Sequence, residues 1–427
     1  MSTSKEPPVG KENVAGRDES ALGPYRVLDL TNELGVFGAR MLSCLGADVI
    51  KIEPPGGDPM RLHGPFFHDS PHPERSLFWL LYNVNKRSVT LDLESVPGRQ
   101  LFCRLVNTAH FVLECFPPGY LDGLGIGYES LKEGNPSLVW TAIGPFGSQG
   151  PRAAWKGGHL VASAMSGFLQ STGSPELPPV QVSLPVTELM TGSYACVGAM
   201  MAHFHRQRTG EGQFVDVSAQ ESMMAATQTT SVVYKSHGVV GKRDPSGPYL
   251  PGIRYERRLF ACQDGYITCY VTYWPDRRQV REWMAGEGMG EDLFGEEWHE
   301  VFEEGGEFTG SQRTHIYELF EAFALTHQRD HLVEAGQSRG IQVCAVKGVD
   351  QVFEDLHLRE RGYFVNLEHP ELGTGLPHQG APFGLGESPW RIWRRAPFIG
   401  EHNEEVFLGE LELSPPELTG LQRQGVV

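Results

Sequence analysis

The chain has 427 residues, more than one compact core normally organises, so two domains are expected. Its composition is ordinary for a globular protein, and the net charge of −17 argues against nucleic acid or an anionic membrane as the main partner. No apolar run reaches the length of a membrane-spanning helix. The seven cysteines are odd in number and widely spaced, with no CxxC pair, which points to free thiols in a reducing cytoplasm rather than to disulfides or zinc.

Residues 1–22 are polar and carry Pro and Gly, the composition of a disordered tail. "YRVLDLT" (25–31) is then an apolar β-run, "GVFGARMLSCLG" has helical character, and "ADVIKIE" (47–53) is a second β-run. This is a β-α-β unit with a short crossover, the building block of a parallel sheet. Further strands are expected at "SVTLDLE" (88–94), "HFVLECF" (110–116), "LVWTAIGPFG" (138–147) and "QFVDVS", with a helix in "PGRQLFCRLVNTA". "VSLPVTELMTGSYACVGAMMAHF" (182–204) reads as a long helix of small and apolar residues, stopped by Gly210. Residues 236–250 are a Gly/Pro/Ser-rich linker, and 251–338 form a smaller domain with two strands joined at "QDGY" and two amphipathic helices. The last segment, 339–427, holds a strand and a helix and then an irregular Pro/Gly-rich stretch.

Most motif candidates reduce to structure. "GLGIGYE" (123–129) lacks the GxGxxG spacing and reads as a turn, and no P-loop or GxSxG elbow is present. His63, His68 and His72 share a Pro-rich loop without cysteines and read as solvated, so no metal ligand is assigned. Cys44 and Cys115 lie in apolar runs and read as packed. Lys86 and Arg87 stand beside a strand start, either as solvated cations or as a phosphate contact. Glu188 remains. Thr187 is a good N-cap, which would put Glu188 at the first helical position, where the helix dipole favours a carboxylate. The same dipole keeps it ionised, and a positioned carboxylate can attack a thioester.

"VLDLTNELGVFGARMLSCLGADVIKIEPPGGDPMR", "NVNKRSVTLDL", "FPPGYLDGLGIGYESL", "HRQRTGEGQFVDVS", "HPELGTG" and "APFIGEHNEEVF", in this order, resemble the class III coenzyme A transferases, the CaiB/BaiF family. The resemblance spans residues 24–427. It implies an α/β fold with a Rossmann-like open parallel sheet in a large domain built from both chain ends (23–235 and 339–427), a smaller α+β domain, and an interlocked dimer. It places Glu188 at the nucleophile position, where the transferases carry aspartate, and makes Lys86 a CoA-contacting lysine and Phe116 an aromatic beside the adenine. Arg87, Arg40 and Lys156 are further CoA-binding candidates. Coenzyme A and acyl-CoA enter as substrates, with no permanently bound cofactor. Departures from the family are the glutamate itself, Cys115 and Gly123 where relatives often have asparagine and arginine, Pro54 for an arginine, and a short first loop lacking "AGP".

The implied chemistry moves CoA from an acyl-CoA donor to a small carboxylic acid through anhydride and glutamyl-CoA thioester intermediates. Two alternatives stand beside it: a weakly catalytic or non-catalytic subunit of a heteromeric benzylsuccinate-type transferase, and an α-methylacyl-CoA racemase-like isomerase pairing His159 with Glu188. Phe37, Phe66, Phe67, Tyr249 and Trp274 are candidates for an acyl pocket or for core and dimer contacts.

Overall fold

Six apolar runs pair into one parallel sheet. In the computed structural model, which describes residues 20–174, 176–241, 243, 257–273 and 275–427, these strands are β1 (Arg26–Leu30), β2 (Asp48–Glu53), β3 (Arg87–Thr90), β4 (Phe111–Glu114), β5 (Val139–Gly144) and β6 (Phe214–Ser218). They lie in the order β3-β2-β1-β4-β5-β6. β2 and β4 are buried at every position, as expected of strands covered on both faces by helices. The order reverses between β1 and β4, where Val27 pairs Phe111 and Leu30 pairs Glu114. In an open α/β sheet this switch point opens a crevice at the carboxyl ends of the strands. Residues 1–19 of the expected tail, most of the expected linker, Tyr249 and Trp274 lie outside the described residues.

The chain divides into two compact units. In its described residues, the first comprises Met1–Leu169, Gln181–Thr227 and Arg359–Val427, and the second Gln170–Val180 and Gln228–Leu358. The second unit therefore takes in residues 228–235 and 339–358 as well as 170–180, which the sequence reading gave to the large domain.

Within the first unit the C-terminal segment returns to the sheet. Ser88 N–H donates to His402 Nδ1 at 3.2 Å, and Asp92 N–H to the Val426 carbonyl at 2.8 Å. Arg61 grips Glu53 through two bonds of 2.7 and 2.8 Å, lies 3.7 Å over the Trp79 ring, and donates to the Pro397 carbonyl, which also accepts from the Trp79 indole. A planar fork stacked on an aromatic is a task lysine cannot perform.

The return segment is more regular than its composition suggested. β10 (Phe364–His369) and β11 (Thr374–Gln379) form an antiparallel hairpin, and helix Pro415–Arg423 follows. Pro377 disguised the hairpin. In a two-stranded sheet each strand is an edge, so a residue without N–H is tolerated opposite Asn366.

The second unit pairs β7 (Leu259–Cys262) with β8 (Gly265–Cys269) across a two-residue turn and adds β9 (Val343–Ala345). Helices Arg277–Gly286, Gly310–Ala324 and Arg329–Ser338 belong to it; Trp283, Phe320 and Phe323 pack with Phe260 and Ile267 in its core. No helix among the described residues is long and apolar enough to cross a membrane.

Candidate active site

Helix Val186–Thr209 runs 24 residues and ends, as expected, at Gly210 with a left-handed φ of 81°. Its start differs from the sequence reading. Pro185 occupies the N-cap position and makes no side-chain cap, while Thr187 is buried inside the helix. The Thr187 hydroxyl lies 2.9 Å from Ser163 Oγ and donates to the His159 carbonyl, so it is not available for capping. Glu188 is thus the third helical residue. It remains in the first turn, beside backbone N–H groups that have no partner within the helix.

The structure brings His159 and Glu188 together. His159 opens helix His159–Met165, and its Nδ1 lies 2.8 Å from Glu188 Oε2, with both side chains partly open to solvent at 15% and 13% exposure. With the carboxylate as acceptor, Nδ1–H is the donor of this bond. Burial raises the Tyr82 phenol; the positive Arg40 opposes that rise and the negative Glu188 adds to it.

What aims the long helix is its crossing with the first helix, Val36–Cys44. A side chain on Gly38 would stand 2.6 Å from the Gly192 carbonyl oxygen, and one on Gly192 would stand 2.9 Å from both Gly38 N and Phe37 Cβ. The small residues of "LMTGSYA" therefore serve a backbone-to-backbone contact one turn beyond Glu188. Phe37 packs edge-on against Tyr82, with ring centroids 6.3 Å apart.

Three of the expected CoA-contacting cations are held inside the protein. Lys86 is fully buried, with its ammonium 2.7 Å from Asp29 Oδ2 and 2.9 Å from Asn83 Oδ1. Paired with Lys51 and Lys86, the Asp29 carboxyl is held down at about 2, against the opposing effect of its burial. Arg87 pairs with Asp48, Glu405 and Glu410. Arg40 is buried and donates to the Gln379 carbonyl at 2.7 Å. None of the three presents a cationic head on the surface in this structure. Lys156 does: it is exposed on the loop before His159, near Arg152, which lies 5.2 Å over the Trp155 ring. Cys44 is buried and its thiol pushed up to about 11, as a packed cysteine should be.

A cavity of 360 Å³ opens beside β4, β5 and β6, lined by Glu114, Phe116, Tyr128, Trp140, Phe214 and Asp216, among others. Phe116 stacks on Tyr120 at 4.9 Å with an interplanar angle of 24°. Among the described residues the wall includes Asp122 and Glu129 but no lysine or arginine. Burial lifts the Glu114 carboxyl to about 7, although it accepts a 2.6 Å bond from Phe116 N–H. Sequence reasoning missed Glu114. The available signal was an acid closing the apolar strand "FVLE" at a carboxyl end of a parallel sheet.

A sequence model of CoA-transferase family III matches residues 22–403. The chain belongs to CoA-transferase family III. Among characterised members, it is 35% identical over 415 residues to the succinyl-CoA:(R)-benzylsuccinate CoA-transferase subunit BbsE of Thauera aromatica, covering 94% of this chain and 97% of that one. It is 30% identical to the formyl-CoA:oxalate CoA-transferase of Streptomyces coelicolor, over 95% of this chain and 99% of that one. A CAIB/BAIF family protein from Brucella suis shares the fold with a TM-score of 0.74 and 26% identity, over 92% of this chain and 98% of that one. Both named relatives are CoA-transferases, enzymes whose substrates are CoA thioesters.

Proposed function

We propose that this family III chain transfers CoA from an acyl-CoA donor to a carboxylic acid through covalent intermediates on Glu188. The observation that carries the reading is the Glu188 carboxylate itself: in the first turn of a long helix, partly exposed, and held by the His159 hydrogen bond. Glu188 Oε1 attacks the thioester carbonyl, the acyl group passes to the carboxylate as an anhydride, and CoA leaves as thiolate. The thiolate attacks the glutamyl carbon, which releases the donor acid and leaves a glutamyl-CoA thioester. The acceptor carboxylate attacks that thioester, and the returning thiolate takes the acceptor acyl group, restoring Glu188. The His159 Nδ1–H and the positive end of the helix dipole oppose the charge that develops on oxygen. Names of the relatives support a succinyl-type donor.

The cavity beside Phe116 suits the adenine end of CoA. An aromatic face and acceptor groups without a cation favour a neutral heterocycle over a phosphate. The exposed Lys156 and Arg152 then take over the phosphate contacts that buried Lys86, Arg87 and Arg40 do not offer.

The chain is proposed to work as an interlocked dimer. Support comes from exposed Tyr194, Val197, Met201 and Phe204, which form an apolar stripe along the long helix. A second reading, a subunit that acts only beside a homologous partner, is favoured by the name of the Thauera relative, which is one subunit of its enzyme. The racemase reading is weakened by geometry: an acid and a base that straddle a carbon stand apart, whereas His159 and Glu188 touch at 2.8 Å.

The test is an exchange assay: purified chain, succinyl-CoA, and a panel of dicarboxylic and aryl-substituted succinic acids, with products read by chromatography. New CoA thioesters formed by the chain alone support the homomeric enzyme; formation only after adding a homologous chain supports the subunit reading. No transfer in either setting contradicts both.

A further inference from the structure

A cluster in the second unit is unrelated to the Glu188 site. Glu287 caps helix Arg277–Gly286, His327 ends the turn after helix Gly310–Ala324, and His331 lies in the first turn of helix Arg329–Ser338. Their three ligand atoms lie within 4.8 Å of one another. The two imidazoles are parallel, at 7°, with centroids 5.1 Å apart.

The hydrogen bonds around His327 define its tautomer. Its Nδ1 is 3.0 Å from the Phe323 carbonyl, which only accepts, so Nδ1 carries the hydrogen. Thr326 Oγ1, 2.9 Å from Nδ1, already donates to that carbonyl at 2.7 Å and cannot reverse the assignment. In the neutral ring the lone pair is then on Nε2, which faces Glu287 Oε2 at 2.7 Å. Two lone pairs at that distance are held together by a positive charge between them, either the second proton of an imidazolium or a metal ion. The other glutamate oxygen is held by the Trp283 indole at 2.8 Å, and Trp283 is buried. A histidine whose far nitrogen donates to a backbone carbonyl, and a carboxylate whose second oxygen is hydrogen-bonded, are the supports that orient metal ligands.

We infer that Glu287, His327 and His331 form a binding site for a zinc-type divalent cation. Two imidazoles and one carboxylate match the ligand preference of Zn²⁺, with a water left to complete the tetrahedron. Ligand atoms about 2.0–2.1 Å from zinc lie roughly 3.3 Å apart, so closing separations of up to 4.8 Å to that value takes a movement of up to about 1.5 Å, shared by the exposed Glu287 and His331. The ion ties together three helices of the second unit. No local motif announces the site, because Glu287 is remote in sequence from the "HQRDH" pair.

Isothermal titration of the tag-free, chelator-stripped full chain with ZnCl₂ tests this, alongside His331→Ala and Glu287→Gln. The expected result is one ion per chain at micromolar Kd or tighter, a rise in Tm of a few degrees with zinc, and at least about a tenfold loss of affinity in either variant. Metal-free variants are melted beside the wild type, so that lost zinc affinity is read apart from the loss of the Glu287 contacts to Trp283 and His327. Absence of zinc binding, or equal affinity in all three proteins, overturns the site and leaves a Glu287–His327 ion pair alone.

Discussion

Gly192→Ala probes how the fold places the nucleophile. The added methyl carbon would stand 2.9 Å from Gly38 N and from Phe37 Cβ, both on or beside the backbone of the first helix. Backbone does not give way as a flexible side chain does, so the helices must separate by about 0.5–1 Å to restore ordinary contact. Overpacking of this kind costs about 1–3 kcal/mol, and the better helix propensity of alanine returns up to about 1 kcal/mol. The net loss is then about 1–2 kcal/mol, read as a drop in Tm of roughly 2–5 °C. Gly192 lies one turn beyond Glu188, so the displacement reaches the carboxylate. A misplacement near 1 Å can lower turnover by about 10²-fold, and kcat should fall by between about 10-fold and 10²-fold with KM little changed. Calorimetry and steady-state CoA transfer read the two effects, with Gly286→Ala as a control, because a methyl there meets nothing within 4 Å. If Gly192→Ala keeps both wild-type Tm and wild-type kcat, the glycine crossing does not set the helix. If stability falls while kcat holds, the link from crossing to nucleophile fails.

His159→Ala should lower kcat by about 10²-fold by releasing the Glu188 carboxylate, and His159→Gln, which can still donate, should recover most of it; equal loss in both would show that the hydrogen bond is not what matters. Lys86→Met should cost about 3–5 kcal/mol by leaving Asp29 short of its buried partner, without raising KM for acyl-CoA in the protein that folds; a KM effect at unchanged Tm would instead make Lys86 a CoA contact. Glu114 gives a pH signature. Its carboxyl is raised from 4.5 to about 7, so the folded state holds a proton that the unfolded chain has released, and stability declines as pH rises through that window, by on the order of 3 kcal/mol in all. The Tm of Glu114→Gln relative to wild type should therefore climb between pH 5 and pH 8 and level off above; a flat difference would mean that Glu114 titrates normally.

The parallel sheet was legible because its strands carry apolar runs between turns, as in "VLDL", "DVIKI" and "FVLE"; the charged residues within them, Asp29, Asp48, Lys51 and Glu114, are buried with the rest. The start of the long helix was misread because Thr187 has the chemistry of a cap; only the three-dimensional neighbour, Ser163, shows where its hydroxyl is spent. Lys86 and Arg87 could not be told from surface cations, since their partners Asp29, Asp48, Glu405 and Glu410 are remote in sequence. The C-terminal helix was legible in principle: Ser414 and Glu417 form a capping box with Pro415 at the first position. The His159–Glu188 pair was anticipated from the family resemblance, and its hydrogen bond needed the structure.

Covalent trapping on Glu188 tests the central claim most directly. The chain is incubated with succinyl-CoA, quenched with hydroxylamine or borohydride, digested and read by mass spectrometry. The account predicts a hydroxamate, or the alcohol left by reduction, on the peptide containing Glu188, and on no other carboxylate. An unmodified Glu188 in a preparation that is actively exchanging CoA would contradict it.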